Sequence, residues 1–288
     1  MAVAQDSHLR YSLVMPPPPV ILSIAGYDPS SGAGVTADIK TAAAFGCYAV
    51  TCITALTVQS TQGVFGVEPV APDIVRQTLS RLQQDFEISA IRIGMLGSEA
   101  VAAEVAGFLE EAHFPNVVLD PVLRSSSGAS LIDPAGVDLL RDRLLPLADL
   151  ITPNSDEAAA LAGLDPLPPA SSWEFAEPRI REFAVRLHAV GARGVLITGG
   201  HLAEPVDLLS IQQGDGICLV REFADTHLNS RSTHGTGCAL ATALACQLAL
   251  GTEVAAAVAE AKAYVREAIR HAEPLGRGAG PLHHLYRR

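Results

Sequence analysis

Between Ser232 and Gly251 the chain reads STHGTGCALATALACQLALG, a turn of small and hydroxyl residues followed by Cys238 and a mostly apolar run at helical spacing. Gly251 is placed to stop the helix that this run predicts. A helix starting near Gly237 leaves its first amides without an intrahelical partner, and its aligned peptide dipoles put about half a positive charge there. With Gly235 and Gly237 allowing close approach, the amides of Gly235, Thr236, Gly237 and Cys238 can receive an oxyanion or a phosphate. Cys238 stands in the first turn, where a helix start lowers a thiol pKa from about 8.5, so it is a candidate general base. The same residues also fit a plain turn followed by a small core cysteine. What the rest of the chain brings to this loop decides between the two.

Two other motifs bear on the chemistry. Gly32-Ala33-Gly34-Val35-Thr36-Ala37 matches the GxGxxA dinucleotide pattern. That pattern needs its glycines directly after a strand and an acid at the end of the next strand; here the glycines come late and YAVTCIT carries no acid. A nicotinamide enzyme is therefore disfavoured, and no glycine-rich run ends in Gly-Lys-Ser/Thr as a Walker loop would. Asn154-Ser155-Asp156-Glu157 has capping-box spacing, which explains it without any function. The alternative is that Glu157, with Asp120 at the end of the preceding strand, holds Mg²⁺ through water while nucleotide phosphates complete the shell.

The elements that must position these residues alternate along the chain. Val20 to Ala25 reads as a fully buried strand, and the loop Gly26 to Gly34 leads into a helix ending near Phe45. Further strands are expected at Ala49 to Thr54, Ala90 to Ile93, Val117 to Leu119, Leu150 to Ile151, Val195 to Ile197, Leu208 to Ile211 and Ile217 to Phe223. Helices are expected at Pro72 to Asp85, Ser98 to Ala112, Pro134 to Leu145, Asp156 to Gly163, Pro178 to Val190 and Thr252 to Ala272. Leu164 to Glu177 reads as a surface loop, and Gln59 to Val70 as an extended loop able to act as a flap. Met1 to Pro19, ending in four prolines, is expected to be an extended or disordered extension before a single domain from residue 20 to 288. Strand and helix alternating at this spacing give an α/β fold with a mostly parallel, doubly wound sheet. Ligands in such sheets sit outside the carboxyl ends of the strands, where the loops above gather.

Composition limits the partners. Over 288 residues the formal net charge is -11, which disfavours nucleic acid and anionic membranes, since both need a basic face. The longest apolar run, Cys238 to Leu250, is too short to span a bilayer, and the N-terminus shows no secretory pattern. Five cysteines with no CxxC pair fit a reducing cytoplasm better than a zinc or disulfide framework.

The motifs in order, AGYDPSSGAG, TADIKT, TALTVQSTQGV, IGMLGS, VVLDPV, LITPNSDEA, TGGH and RSTHGTGC, together with GRGAGPLHH, resemble the bacterial hydroxymethylpyrimidine/phosphomethylpyrimidine kinases of thiamin synthesis, within the ribokinase-like superfamily. The match covers about residues 20 to 285, and cysteine in the GTGC loop points to the vitamin-kinase branch. The resemblance implies a ribokinase-like three-layer α/β/α sandwich, ATP and Mg²⁺ as co-substrate and metal, and a homodimer. It implies phosphorylation of 4-amino-5-hydroxymethyl-2-methylpyrimidine, and of its monophosphate, with Cys238 accepting or orienting the hydroxyl proton. By the same resemblance Gly26, Asp38, Gln59, Met95 and Val122 bind the pyrimidine, Asn154, Thr198, Gly200 and Thr233 bind ATP, and Asp120 and Glu157 hold the metal.

The chain departs from that family at three places. Tyr27 stands where a small hydroxyl residue is common, Thr198 replaces a lysine before Gly-Gly-His, and Ser126 replaces another basic residue; Arg124 or Arg231 would have to supply the charge. Two rivals stay open: a pyridoxal kinase on the same scaffold, and a metabolite-binding homologue with weakened turnover.

Overall fold

The computed structural model describes residues 16–125, 128–214, 216 and 218–287. The expected N-terminal extension lies mostly outside them, as does Ser126. Among the described residues the chain forms one nine-stranded sheet in the order β3-β2-β1-β4-β5-β6-β7-β8-β9. The strands are β1 (Val20–Tyr27), β2 (Tyr48–Ser60), β3 (Gly63–Pro69), β4 (Ile88–Ile93), β5 (Val117–Leu119), β6 (Leu150–Ile151), β7 (Gly194–Ile197), β8 (Val206–Gln212) and β9 (Cys218–Ala224). The ladder from β2 through β7 is parallel. Antiparallel pairing is confined to β3 at one edge and to β8 and β9 at the other.

Continuous apolar runs become strands here because both faces of the sheet are covered. Leu22, Ile24, Ile91, Ile93, Leu119, Ile151 and Val195 belong to one core, while their neighbours Ile21, Ala90, Val118, Leu150 and Leu196 belong to the other. The first core is closed by α2 (Pro72–Asp85), α3 (Glu99–Glu111), α4 (Pro134–Leu139), α5 (Ser155–Ala162) and α6 (Trp173–Ala189). The second is closed by α1 (Gly34–Ala44), α7 (Thr236–Ala249) and α8 (Val254–Arg270). The result is the three-layer α/β/α sandwich expected of the sequence, and its sheet order reverses direction at β1 and β4. No helix among the described residues is long and apolar enough to cross a membrane.

Three boundaries differ from the sequence reading. The stretch taken as an extended loop, Gln59 to Val70, is the end of β2 and the whole of β3, a hairpin arm whose pairs run from Ala55↔Pro69 to Ser60↔Gly63. Its strands gain their order from each other rather than from a core, so the apolar alternation there is weak. Helix α6 begins at Trp173, five residues before Pro178, because Ser172 caps it by accepting from the Phe175 amide. Pro178 therefore lies inside the helix. The expected helix from Pro134 to Leu145 stays α-helical only to Leu139, then loosens into a π turn over Leu140–Leu144 and a 3₁₀ turn over Leu145–Leu147. Pro146, which has no amide to donate, falls in that last turn.

Candidate active site

The helices around the sheet differ at their starts. Ser98, Asp133, Asn154, Ser172 and Glu253 each accept a backbone amide at the head of α3, α4, α5, α6 and α8. Helices α1, α2 and α7 start at Ala33, Ala71 and Gly235 with no side-chain cap, and Pro72 at the head of α2 has no amide to leave open. The starts of α1 and α7 lie where the sheet order reverses, so the amides left open there are the ones an anionic ligand would meet.

The β1–α1 loop is built around Asp28. One carboxylate oxygen accepts from the amide and hydroxyl of Ser30 at 2.8 and 2.7 Å, and the other from the amides of Gly32 and Ala33 at 3.1 and 2.9 Å. His234 Nε2 lies 2.8 Å from the second oxygen and ties this loop to the turn before α7. Burial would raise the Asp28 carboxyl, but hydrogen bonds from His234 and Ser30 outweigh it and bring its pKa down to about 2. Gly235 completes the junction. Its φ is +82°, and a Cβ there would stand 1.9 Å from the Gly32 carbonyl oxygen, so the two loops touch backbone to backbone.

Cys238 sits half-buried in the first turn of α7, and the Gly34 amide donates to its sulfur. Its pKa is not lowered as the helix start alone implies. Burial pushes the thiol up to about 11, against the pull of Arg92 and with the added repulsion of Asp120 and Asp38. The thiol is therefore protonated at neutral pH in the unliganded chain.

Asp38, expected to bind the pyrimidine, lies instead beneath the surface of the site. It is fully buried, with one oxygen accepting from Ser23 Oγ at 2.6 Å and from Arg92, and the other accepting from Thr242 Oγ1 at 2.7 Å. Burial also raises the Asp38 and Asp120 carboxyls while Arg92 opposes it.

On the opposite side of the GTGC turn the loops after β5, β6 and β7 meet. Asn154 Oδ1 accepts from the amides of Asp156 and Glu157 at 3.0 and 2.9 Å, and Glu157 returns a bond to the Asn154 amide at 3.0 Å. The capping box is thus fully formed. Glu157 also accepts from the Leu123 amide at 3.3 Å, directly after the Asp120-Pro121-Val122 segment. Burial raises its pKa to about 8, and the Asp120 charge adds to the effect. The two carboxylates are close enough to repel, so capping and cation binding are compatible roles for Glu157. Among the described residues no three His, Cys, Asp or Glu side chains converge on one point, so a cation here would take its other ligands from water or phosphate.

The remaining candidates fall into two groups. Thr198 bridges to Asn154, with its amide donating to the Pro153 carbonyl at 2.9 Å. Gly200 and Thr233 are exposed, and Arg124 and Arg231 are too; Arg231 donates to the Arg277 carbonyl at 3.1 Å. On the β1 side a Cβ on Gly26 would lie 3.0 Å from Met95 Sδ, so these two residues pack against each other, while Val122 is half-buried two positions after Asp120. Gln59, on the hairpin arm, accepts from Thr57 Oγ1 at 3.0 Å and places its amide nitrogen 3.2 Å from His234 Nε2. Asp28 competes for the same ring nitrogen, which can either donate to Asp28 or accept from Gln59 but not both.

Sequence reasoning passed over Arg92, Asp28 and His234, and also Asp207, which accepts from the Gly199 amide at 2.9 Å and from Lys262 Nζ at 2.6 Å. THG in the GTGC motif was the available signal for His234. Arg92 carried none, because its partners lie 54 and 28 positions away.

A three-layer sandwich with an uncapped helix start at the sheet's switch point, flanked by a cysteine and two carboxylates, defines a kinase of the ribokinase-like class. Within that class the chain belongs to the phosphomethylpyrimidine kinase family, whose model matches residues 28–283. It is 41% identical over 269 residues to the hydroxymethylpyrimidine/phosphomethylpyrimidine kinase of Salmonella typhimurium, covering 92% of this chain and 97% of that protein. It is 42% identical over 267 residues to the thiamine biosynthesis bifunctional protein ThiED of Geobacter sulfurreducens, covering 92% of this chain but 52% of that protein, so it spans about half of the latter. The ADP complex of Bacillus subtilis pyridoxal kinase superposes with a TM-score of 0.81 at 32% identity, covering 93% of this chain and 97% of that one.

Proposed function

We propose that the chain transfers the γ-phosphoryl of ATP to the hydroxymethyl group of 4-amino-5-hydroxymethyl-2-methylpyrimidine, and in a second step to the resulting monophosphate. What supports this reading is the uncapped start of α7 with Cys238 in its first turn, together with the charge of Asp120 acting on both Cys238 and Glu157. An acceptor hydroxyl at the thiol and a phosphate at the carboxylates would meet over the amides of Gly235, Thr236, Gly237 and Cys238.

Phosphoryl transfer needs little covalent chemistry from a protein; positioning and charge stabilisation carry most of the rate. The open amides of α7 would take charge developing on the transferring group. Gln59 would hydrogen-bond the ring, and its shared contact with His234 leaves its amide free to turn toward a substrate. Asn154, Thr198, Gly200 and Thr233 would line the nucleotide side. Asp120 and Glu157 would hold Mg²⁺, which supplies charge neutralisation on the phosphates when bound. The Asp28–His234 pair keeps the two backbone loops together while this happens.

Residues 20 to 288 would work as one unit. A homodimer in the cytoplasm is the expected assembly, supported by Leu56, Val58 and Phe65, which are 51, 67 and 70% exposed on the hairpin arm at the sheet edge.

The assay is Mg²⁺-dependent ATP consumption with the hydroxymethylpyrimidine, its monophosphate and pyridoxal as acceptors on one preparation. Turnover on both pyrimidines at higher kcat/KM than on pyridoxal is the expected result. A preference for pyridoxal would move the assignment to the rival kinase and make Tyr27 the residue to alter. Thermal stabilisation by the pyrimidine without ATP consumption would favour a binding protein that has lost turnover.

A further inference from the structure

Arg92, next to last in β4, is fully buried under the site, and no step described so far uses it. Its guanidinium places Nη1 3.2 Å from Asp38 Oδ2 and Nη2 2.7 Å from Asp120 Oδ2, and it also hydrogen-bonds Cys238. Its Nε is buried with no hydrogen-bond partner among the described residues. Stability alone is a weak reason for such a group, since an apolar side chain of similar volume commonly serves a core as well as a buried ion pair does. The chain nevertheless reserves the space. Two residues on, Gly94 lies where a Cβ would be 1.9 Å from Arg92 Nη1, so only glycine leaves the head group its position.

The contacts join four parts of the fold. Asp38 belongs to α1, Asp120 follows β5, Cys238 opens α7, and Arg92 comes from β4. Thr242, one turn into α7, binds the other Asp38 oxygen at 2.7 Å, so α7 is tied to the cluster at two successive turns. A planar fork can give one nitrogen to each carboxylate in fixed directions, which an ammonium cannot do.

We propose that Arg92 is a positioning residue for phosphoryl transfer, its guanidinium fixing the start of α7, with Cys238, against Asp120 so that the acceptor side and the phosphate side of the site keep one separation. The inference rests on the kinase reading above. Displacement of reacting groups by about 1 Å lowers turnover on the order of 10²-fold, which sets the size of the effect.

The test compares Arg92→Met, Arg92→Lys and Gly94→Ala, with kcat expressed per folded protein. Arg92→Met is expected to lose about 10²-fold in kcat with KM for the pyrimidine unchanged, the pattern of an interaction that matters in the transition state. Arg92→Lys should recover only part of the loss, because it restores charge without the fork. Gly94→Ala retains Arg92 but displaces its head group, and should fall with Arg92→Met; in the Arg92→Lys background the alanine should add nothing. Should Arg92→Met fail to fold, the other two variants carry the test.

Amide hydrogen exchange supplies a readout independent of turnover. Exchange across residues 234–240 should rise in Arg92→Lys while that of α3 and α6 stays unchanged. Folded variants with the wild-type kcat, or unchanged exchange at 234–240, would overturn the proposal. Exchange that rises equally everywhere would do so too, since it marks a structural role alone. Wild-type protein inactive on the pyrimidines would refute the kinase reading, and the exchange result would still decide the role of Arg92.

Discussion

Cys238→Ala is expected to retain the fold and to lose about 10²- to 10⁴-fold in kcat, the range that positioned acid–base groups contribute. The side chain is small and half-buried, so little packing is lost with it. The pH dependence separates the two things a thiol can do here. With its pKa raised to about 11, the neutral form dominates at pH 7 and thiolate is about one part in ten thousand. If thiolate takes the acceptor's proton, kcat/KM of the wild type climbs about tenfold per pH unit between 7 and 9, because that ratio reports the free enzyme. Cys238→Ala should then be low and flat over the same range. A flat wild-type profile beside a collapsed mutant would mean that the thiol orients the hydroxyl without accepting its proton. An active Cys238→Ala would remove the residue from the mechanism.

Asp38→Ala is expected to act on stability first. The substitution leaves Arg92 with one carboxylate fewer and strips the Ser23 hydroxyl of its acceptor, while Thr242 keeps the Cys238 carbonyl, all in a site with no access to water. Removing one partner of a buried ion pair destabilises a protein by about 3–5 kcal/mol. At about 2–4 °C per kcal/mol for a chain somewhat smaller than this one, Tm should fall by on the order of 10 °C. The measurement is thermal unfolding beside the KM of the folded fraction. Were Asp38 in contact with substrate, KM would rise and Tm would hardly move, the opposite of what its burial dictates.

Those two residues also show what a sequence can and cannot reveal about this site. Strands β1, β4 and β5 were legible because burial on both faces writes an unbroken apolar run into the chain. Helix α7 was legible because its glycines and its apolar spacing are local. The β2–β3 arm was not, since its strands are ordered by pairing with each other and bury little. Asn154 and Glu157 were readable as a cap from three-residue spacing, and the structure forms that cap while also bringing Glu157 against Asp120. The Cys238 pKa went the other way from the local argument. A helix start is a short-range influence visible in sequence, whereas the burial and the two carboxylates that overcome it come from α1 and the end of β5. Asp38, expected to bind the pyrimidine, is fully buried for the same reason: depth is set by what packs on top.

Phosphorus NMR of the products of one reaction with Mg·ATP and the hydroxymethylpyrimidine shows whether a phosphoryl group reaches the hydroxymethyl oxygen. ADP is expected together with a new phosphomonoester signal, followed by a diphosphate ester as the monophosphate is consumed, with neither ester formed by Cys238→Ala in the same time. ADP with inorganic phosphate and no ester, or no change in ATP at all, would contradict that transfer.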